Sequence, residues 1–439
     1  MSLTKSTTAF AEAPWIQGLP SPYFKKKSHI ALREYVKKWV ADNMADDAEE
    51  WDDSGNADPE LFKKFARDGF LVPFALGVTI PKKFHDLAGN ITLPGGVPAD
   101  EWDHFHDYIL IDELCGCGTQ QMMMANYGGL AYGAGPIVHF ASEAMQKRFL
   151  PDLLLGKKRI CLAITEPRAG SDVAGLGTTA VKTSDGKHYI VNGEKKWITN
   201  GIYSDYFTTA VRTSGKPGDH SGITFLVIPR SEGLETRKMK MMGGGASGTT
   251  YVTFEDVKVP VENVVGKEGE GFKYIMWNFL HERMTICYVA IRLCRVCLED
   301  SVEHVKRRKA FGKPLIEQPV VRHKIANMAR QTEALQAFIE ASIYQYSQLS
   351  TAESNLKLGG TTALLKAQST ITLEYVVSEA VMLFGGMGIT KGGAGERVER
   401  IFREFKALSI PGGSQDVMLD LGVRQQLKLI EAQRAKSNL

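Results

Sequence analysis

Cysteine is scarce, with six residues in 439, too few and too scattered for a disulfide framework. A surplus of one charge is missing as well. There are 53 Lys+Arg against 50 Asp+Glu, a net +3, so nothing marks a general polyanion partner, and Lys25-Lys26-Lys27 and Lys306-Arg307-Arg308-Lys309 are local clusters only. No uninterrupted apolar run approaches the ~20 residues of a membrane helix, and stretches such as 286–291 fall far short, so no membrane span is expected. Residues 1–20 contain neither a secretory apolar core nor an arginine, so neither a signal peptide nor a typical mitochondrial presequence is expected. The tail Ser437-Asn438-Leu439 is a distant relative of the peroxisomal Ser-Lys-Leu signal. The compartment is expected to be intracellular and stays open between peroxisome and mitochondrion.

What is present is ordinary globular chain, 44% hydrophobic and 23% charged, with length for about three domains at roughly 150 residues each. Three zones follow from the change in period. Residues 1–157 are helical, with Leu32, Val36, Trp39 and Val40 in one stripe and Asp58-Pro59 marking a helix start. The Pro- and Gly-rich stretch 78–98 inside this zone reads as an extended loop. Residues 158–269 alternate with period two, in runs at 159–164, 189–191, 206–212, 223–228 and 251–257, separated by turn groups such as Ser184-Asp185-Gly186 and Asn192-Gly193. No helical pattern lies between these runs, so an antiparallel sheet or barrel is expected. Residues 270–439 return to long helices at about 272–310, 318–349, 361–384 and 415–435, a four-helix bundle. The fold class is α+β: N-terminal helical domain, central antiparallel β-barrel, C-terminal bundle.

Several groups invite a chemical reading. Gly243-x-Gly245-x-x-Gly248 matches the dinucleotide fingerprint in letters, but it precedes a strand instead of following one and opening a helix, so it reads as a loop. His104 and His106, an i, i+2 pair between Asp103 and Asp107, point to different helix faces and complete no metal-ligand set. Cys287, Cys294 and Cys297 fall on one helix face and, like Cys115 and Cys117, read as small core residues of a reducing compartment. Thr165 to Asp172 gathers hydroxyls and small residues at a strand end, fit for a planar polar ligand or for a plain turn. Trp197 next to Thr199 offers a stacking plane with a hydrogen-bonding neighbour, or a core tryptophan. Arg308, Phe311 and Gly312 end the first bundle helix, which suits both capping and a grip on pyrophosphate. Phe384-Gly-Gly-Met-Gly388 and Ile410-Pro-Gly-Gly-Ser-Gln415 are glycine-rich breaks whose backbone offers close approach to a cofactor.

Glu282 is the most telling residue. Ile275, Phe279, Glu282, Ile286, Val289, Leu293 and Val296 share one helix face that is apolar except for this carboxylate. Burial raises a carboxyl pKa, which suits abstraction of a weakly acidic carbon-bound proton. An ion pair with an Arg or Lys inside the bundle is the structural alternative.

The order and spacing of these motifs resemble the acyl-CoA dehydrogenase family of flavoproteins across nearly the whole chain. The carriers are Thr-Glu-Pro-x-Ala-Gly-Ser-Asp at 165–172, Trp-Ile-Thr at 197–199, Arg-x-x-Phe-Gly at 308–312, Phe-Gly-Gly-x-Gly at 384–388 and Gly-Gly-Ser-Gln at 412–415. His281-Glu282-Arg283 with Ile-Pro-Gly-Gly-Ser looks like the branch common in fungi. The resemblance implies FAD between barrel and bundle, in a homotetramer or homodimer. It implies Leu162, Ile164 and Thr165 at the isoalloxazine pyrimidine edge, Ser171 near phosphates or substrate, Trp197 on the ring and Thr199 near N5. It places Arg308, Phe311 and Gln318, with the segment containing Gly385 and Gly386, on the adenosine-pyrophosphate half across a subunit boundary. Gln415 would close the site, Arg283 would fix the helix beside the acyl chain, and Gly412 would meet substrate.

Two positions depart from the commonest family pattern. Pro411 stands where a glutamate base usually sits, and Met382 stands for a glutamine that contacts cofactor. Some members carry the base on the first bundle helix immediately before an arginine, the position of Glu282-Arg283, which shifts the reading of Glu282 toward the base. The implied reaction is α,β-dehydrogenation of an acyl-CoA, with Glu282 taking the α-proton and flavin N5 accepting hydride. Electrons would then pass to an electron-transfer flavoprotein or oxygen. The rivals are a flavin oxidase or monooxygenase acting on a non-thioester, and a nucleic-acid-associated flavoprotein, which the small charge surplus disfavours.

Overall fold

The computed structural model describes residues 6–437; Asn438 and Leu439 of the tail tripeptide lie outside them. The chain packs as two units. Among the described residues, one combines 6–49, Asp103–Gln120 and 280–437; the other combines Glu50–Trp102 with Gln121–Phe279. The three sequence zones are therefore interleaved in space.

In the first unit, the helices Gly271–Arg307 (from Leu280), Pro319–Ser347, Gly359–Phe384 and Gln415–Ser437 are the long elements expected. From Glu282 to Leu298 the first of these is buried all round, so the apolar stripe read from the sequence is only part of its packing surface. Its inward arginines Arg292 and Arg295 are matched by acids. Arg292 meets Glu12 at 3.1 Å and Glu113 at 3.0 Å, and Arg33 meets Glu12 at 2.8 Å and Glu113 at 3.0 Å. Burial opposes ionisation of Glu12, but Arg292, Lys37 and Arg33 outweigh it and hold the carboxyl at about 2. Helix 359–389 is long and apolar enough to cross a membrane by length and composition, with mean hydropathy 1.2 over its best window. It holds no long uninterrupted apolar run, because Thr, Ser and Gly, with Lys366, Glu374 and Glu379, break up its apolar residues. Here it packs against the helices Pro319–Ser347 and Gln415–Ser437.

The second unit holds the sheet: β1 Ile160–Ala163, β2 Thr179–Lys182, β3 His188–Ile198, β4 Tyr206–Arg212, β5 Ile223–Pro229, β6 Leu234–Lys238, β7 Thr250–Pro260 and β8 Val264–Val265. The order is β6-β7-β3-β2-β4-β5-β8, with β1 beside β4. The α+β class holds, with two differences from an antiparallel barrel: the ladder is not closed, and β1 and β2 both run parallel to β4. Asn192-Gly193 does not end a strand. It is a register shift within β3, where Gly193 is required because a Cβ would come within 2.6 Å of the Thr178 hydroxyl. Stretch 78–98 is not purely extended; it contains the helix Lys82–Leu87 and a single turn at Pro94–Gly96. Asp58 caps the helix Pro59–Arg67 as its sequence predicts, accepting from Glu60 N at 2.8 Å.

The helix Gln121–Phe140 lies directly on β1. A Cβ on Gly133 would stand 2.7 Å from the carbonyl carbon of Cys161, so only glycine allows this approach. Asn200 locks the same corner: its Oδ1 accepts from Gly129 N at 2.8 Å and its Nδ2 donates to Ser247 O at 2.8 Å.

Candidate active site

In the second unit, two motifs far apart in sequence are tied together by a buried lysine. Lys195 is fully buried on the inward phase of β3, and its Nζ donates to Ile164 O at 2.9 Å and pairs with Glu166 Oε1 at 2.7 Å. The Lys196 amide donates to Thr165 O at 2.9 Å, and Glu166 also accepts from Gly177 N at 2.6 Å on Oε2 and from Thr178 N at 3.0 Å on Oε1. Burial drives the Lys195 ammonium down to about 8. These contacts hold the Thr165–Ser171 turn at the end of β1 against the segment leading to Trp197 and Thr199.

Just beyond Lys195 the β3–β7 register slips by one residue, and Trp197 takes φ +60°, a conformation bulky side chains rarely adopt. The slip turns the indole outward, 47% exposed, so it is not a core tryptophan. Leu162, Thr165 and Thr199 are half-buried, Ile164 is buried and Ser171 is exposed.

In the first unit, Glu282 is 9% exposed, and among the described residues its carboxylate makes no hydrogen bond or ion pair. Burial pushes its pKa up to about 7 against the opposing pull of Arg283, Lys366 and His281. Each of these cations has a partner elsewhere. Arg283 Nε donates to Gly412 O at 2.9 Å, Lys366 Nζ donates to Ser409 O at 2.7 Å and Gly413 O at 2.6 Å, and His281 pairs with Asp107 at 3.1 Å. The internal ion pair weighed for Glu282 is therefore not made. A Cβ on Gly412, φ +67°, would stand 3.9 Å from Glu282 Oε1. The 410–413 turn, whose Pro411 stands at the usual base position of the resembled family, thus lies against Glu282 itself.

Arg308 and the exposed Gly385 and Gly386 converge on a cavity of ≈ 840 Å³, joined by Lys391, Gly392 and Gly393. Phe311 does not line it; it sits 96% exposed at φ +51° with Gly312 at the tip of a two-residue hairpin between Lys309–Ala310 and Lys313–Pro314. Gln318 is likewise off this cavity, at the N-cap of Pro319–Ser347. Met382 is exposed, and Gln415 opens the last helix half-buried.

Glu166, Lys195 and Asp107 lie within segments noted in the sequence but carried no role there, and Lys366 was not noted at all. Lys195 had a signal in its inward strand position, and Lys366 in being the one basic residue of the helix Gly359–Phe384. His29, Asp103 and His106 bring ligand-type atoms within 4.8 Å of one another. Asp103, however, is the N-cap of His104–Leu114 and holds the Lys26 ammonium at 2.7 Å, so positive charge is already supplied there.

Comparison with known proteins agrees along the chain. Models of the acyl-CoA dehydrogenase N-terminal, middle and C-terminal domains match residues 26–157, 161–257 and 269–427. Acyl-CoA dehydrogenase apdG of Emericella nidulans is 44% identical over 98% of both chains. The chain belongs to the acyl-CoA dehydrogenase family. Acyl-CoA dehydrogenase AFT10-1 of Alternaria alternata is 36% identical, again over 98% of each chain. Among solved structures, butyryl-CoA dehydrogenase from Megasphaera elsdenii superposes with TM-score 0.81 at 27% identity, over 93% of this chain and 100% of that one.

As an acyl-CoA dehydrogenase the protein is a flavin-dependent oxidoreductase with FAD as its cofactor. The residues present fit that group. Trp197 presents an exposed aromatic ring two residues before the half-buried Thr199. Arg308 brings a cation suited to pyrophosphate to a cavity rim where a Cβ on Gly385 or Gly386 would meet nothing within 4 Å.

Proposed function

We propose that this dehydrogenase converts an acyl-CoA thioester to its α,β-enoyl-CoA, with Glu282 as the base that takes the α-proton. The observation that carries this reading is a buried carboxyl, near neutrality in pKa, with no hydrogen-bond partner and with every neighbouring cation bonded to something else. Such a group is ready to accept a proton from carbon near physiological pH. FAD supplies the hydride acceptor when bound. Arg283 fixes the Gly412 backbone beside the carboxylate, and the packed helix around Glu282 keeps water from it. Leu162, Ile164, Thr165, Ser171, Trp197, Thr199 and Gln415 are the residues assigned to the flavin, and Arg283 and Gly412 to the substrate side.

Arg308, Phe311 and Gln318 are assigned to the FAD of a second copy in a homo-oligomer. An apolar ring left 96% exposed at a strained turn supports that assignment. Electrons would leave to an electron-transfer flavoprotein or to oxygen, and aerobic reoxidation rates separate the two. The test of the reaction is anaerobic mixing of FAD-loaded protein with butyryl-, octanoyl-, palmitoyl- and branched acyl-CoAs. Flavin bleaching with at least one thioester, abolished in Glu282→Gln, is expected; an oxidised spectrum with all of them overturns the reading.

A further inference from the structure

We propose that Lys366 is a positioning residue for the base: its ammonium ties both ends of the 410–413 turn and thereby sets where the turn, Arg283 and the Glu282 carboxylate stand. This rests on Glu282 being the base. Lys366 sits on the helix Gly359–Phe384 with no exposed surface. Its Nζ reaches Ser409 O at 2.7 Å, just before the turn, and Gly413 O at 2.6 Å, at its end. Between these two anchors, Gly412 offers its carbonyl to Arg283 Nε at 2.9 Å, and a Cβ added to it would stand 3.0 Å from Ile286 and 3.9 Å from Glu282 Oε1. One charged atom thus closes a loop of four residues over the carboxylate, and that loop has no side-chain hydrogen-bonding groups of its own between Ile410 and Gly413.

Burying an ammonium is costly unless it is paired, and two carbonyls only partly replace its water. The burial shows in a Lys366 pKa lowered to about 8, with Cys287 and Glu282 favouring its charge and Arg283 opposing it. A greasy residue or a neutral amide would fill the same space without that cost. What the charge adds is a field on Glu282. The charged or titratable groups facing that carboxyl are Arg283 and His281 on its own helix, His281 being paired with Asp107, and Lys366 from the helix packed across from it. Lys366 is the one of these that also holds the turn at both ends, so turn geometry and base electrostatics are set by the same atom.

The test compares Lys366→Gln and Lys366→Arg with the native FAD-loaded enzyme, using whichever thioester of the panel reduces the flavin fastest. Lys366→Gln is expected to move the acid limb of the kcat profile upward by about one pH unit, the usual effect of removing one nearby opposite charge, and to lower kcat more than it changes KM. Lys366→Arg, which keeps the charge, is expected to leave the limb where it is even where kcat falls. The same carboxyl is read without turnover by comparing the pH dependence of melting for Lys366→Gln with that of the Lys366→Gln/Glu282→Gln double variant.

An unmoved limb in Lys366→Gln, or an upward shift in Lys366→Arg, overturns the proposal; should Lys366→Gln fail to fold, Lys366→Met, which also removes the charge, is read in its place. Retained activity in Glu282→Gln, or no thioester turned over by native enzyme, overturns the underlying reading as well. Loss of activity in Glu282→Gln with an unmoved limb in Lys366→Gln sinks only the role of Lys366.

Discussion

Lys195 and Glu166 form an ion pair at 2.7 Å with both side chains buried, joining positions 29 residues apart in sequence. The pair sits where the turn after β1 meets the strand that carries Trp197. Replacing Lys195 by Met leaves Glu166 buried and unpaired, a loss of about 3–5 kcal/mol for cutting one side of such a pair. Chemical denaturation of Lys195→Met reads that loss. The FAD content after gel filtration is expected to fall with it, because Thr165 and Trp197 lose their common anchor; native stability and full flavin occupancy would show that the pair is idle.

Glu282→Gln removes the proposed proton acceptor while keeping its shape. Flavin reduction by acyl-CoA is expected to slow by roughly 10²–10⁴-fold, the usual worth of a positioned general base, with FAD content unchanged. In native enzyme, kcat/KM is expected to rise with pH through about 7, because the base works only when ionised and burial holds its pKa there. A rise centred near an ordinary carboxyl value would mean that the working group is exposed.

The same shift predicts a stability signature. The Glu282 pKa is raised on folding from 4.5 to about 7. Relative to Glu282→Gln, the native protein therefore loses stability as pH climbs from about 4.5 through about 7, and the difference is constant above that. Below 4.5 the carboxyl is protonated in both states and costs nothing. The total is on the order of 3 kcal/mol, read as the difference between two melting-temperature profiles.

Gly386→Ala is a clean probe of cofactor approach. A Cβ there meets no protein atom within 4 Å, and the backbone is not left-handed. Melting of the flavin-free protein is expected to stay within about 1 kcal/mol of native. FAD affinity is expected to drop about tenfold or more, the equivalent of ~1.4 kcal/mol. Unchanged affinity would place the pyrophosphate away from this glycine.

The amino-acid sequence by itself determined the order of helical and sheet zones, because period 3.6 and period 2 are written in the side chains. It also determined the family, because five short motifs stand in a fixed order, and it singled out a carboxylate on the oily first bundle helix. It did not show that the sheet stays open, that β1 and β2 run parallel to β4, or that Asn192-Gly193 bends a strand without ending it; those depend on which distant strands pair. Tertiary structure alone decided that the turn at Pro411 lies against Glu282, although Arg283 and Gly412 are 129 residues apart. It alone decided which backbone carbonyls the Lys366 and Lys195 ammonium groups reach. The reason is physical: a lysine bonded to main-chain oxygens is matched to a place in space, and every residue type offers the same oxygen, so no partner is written in the sequence.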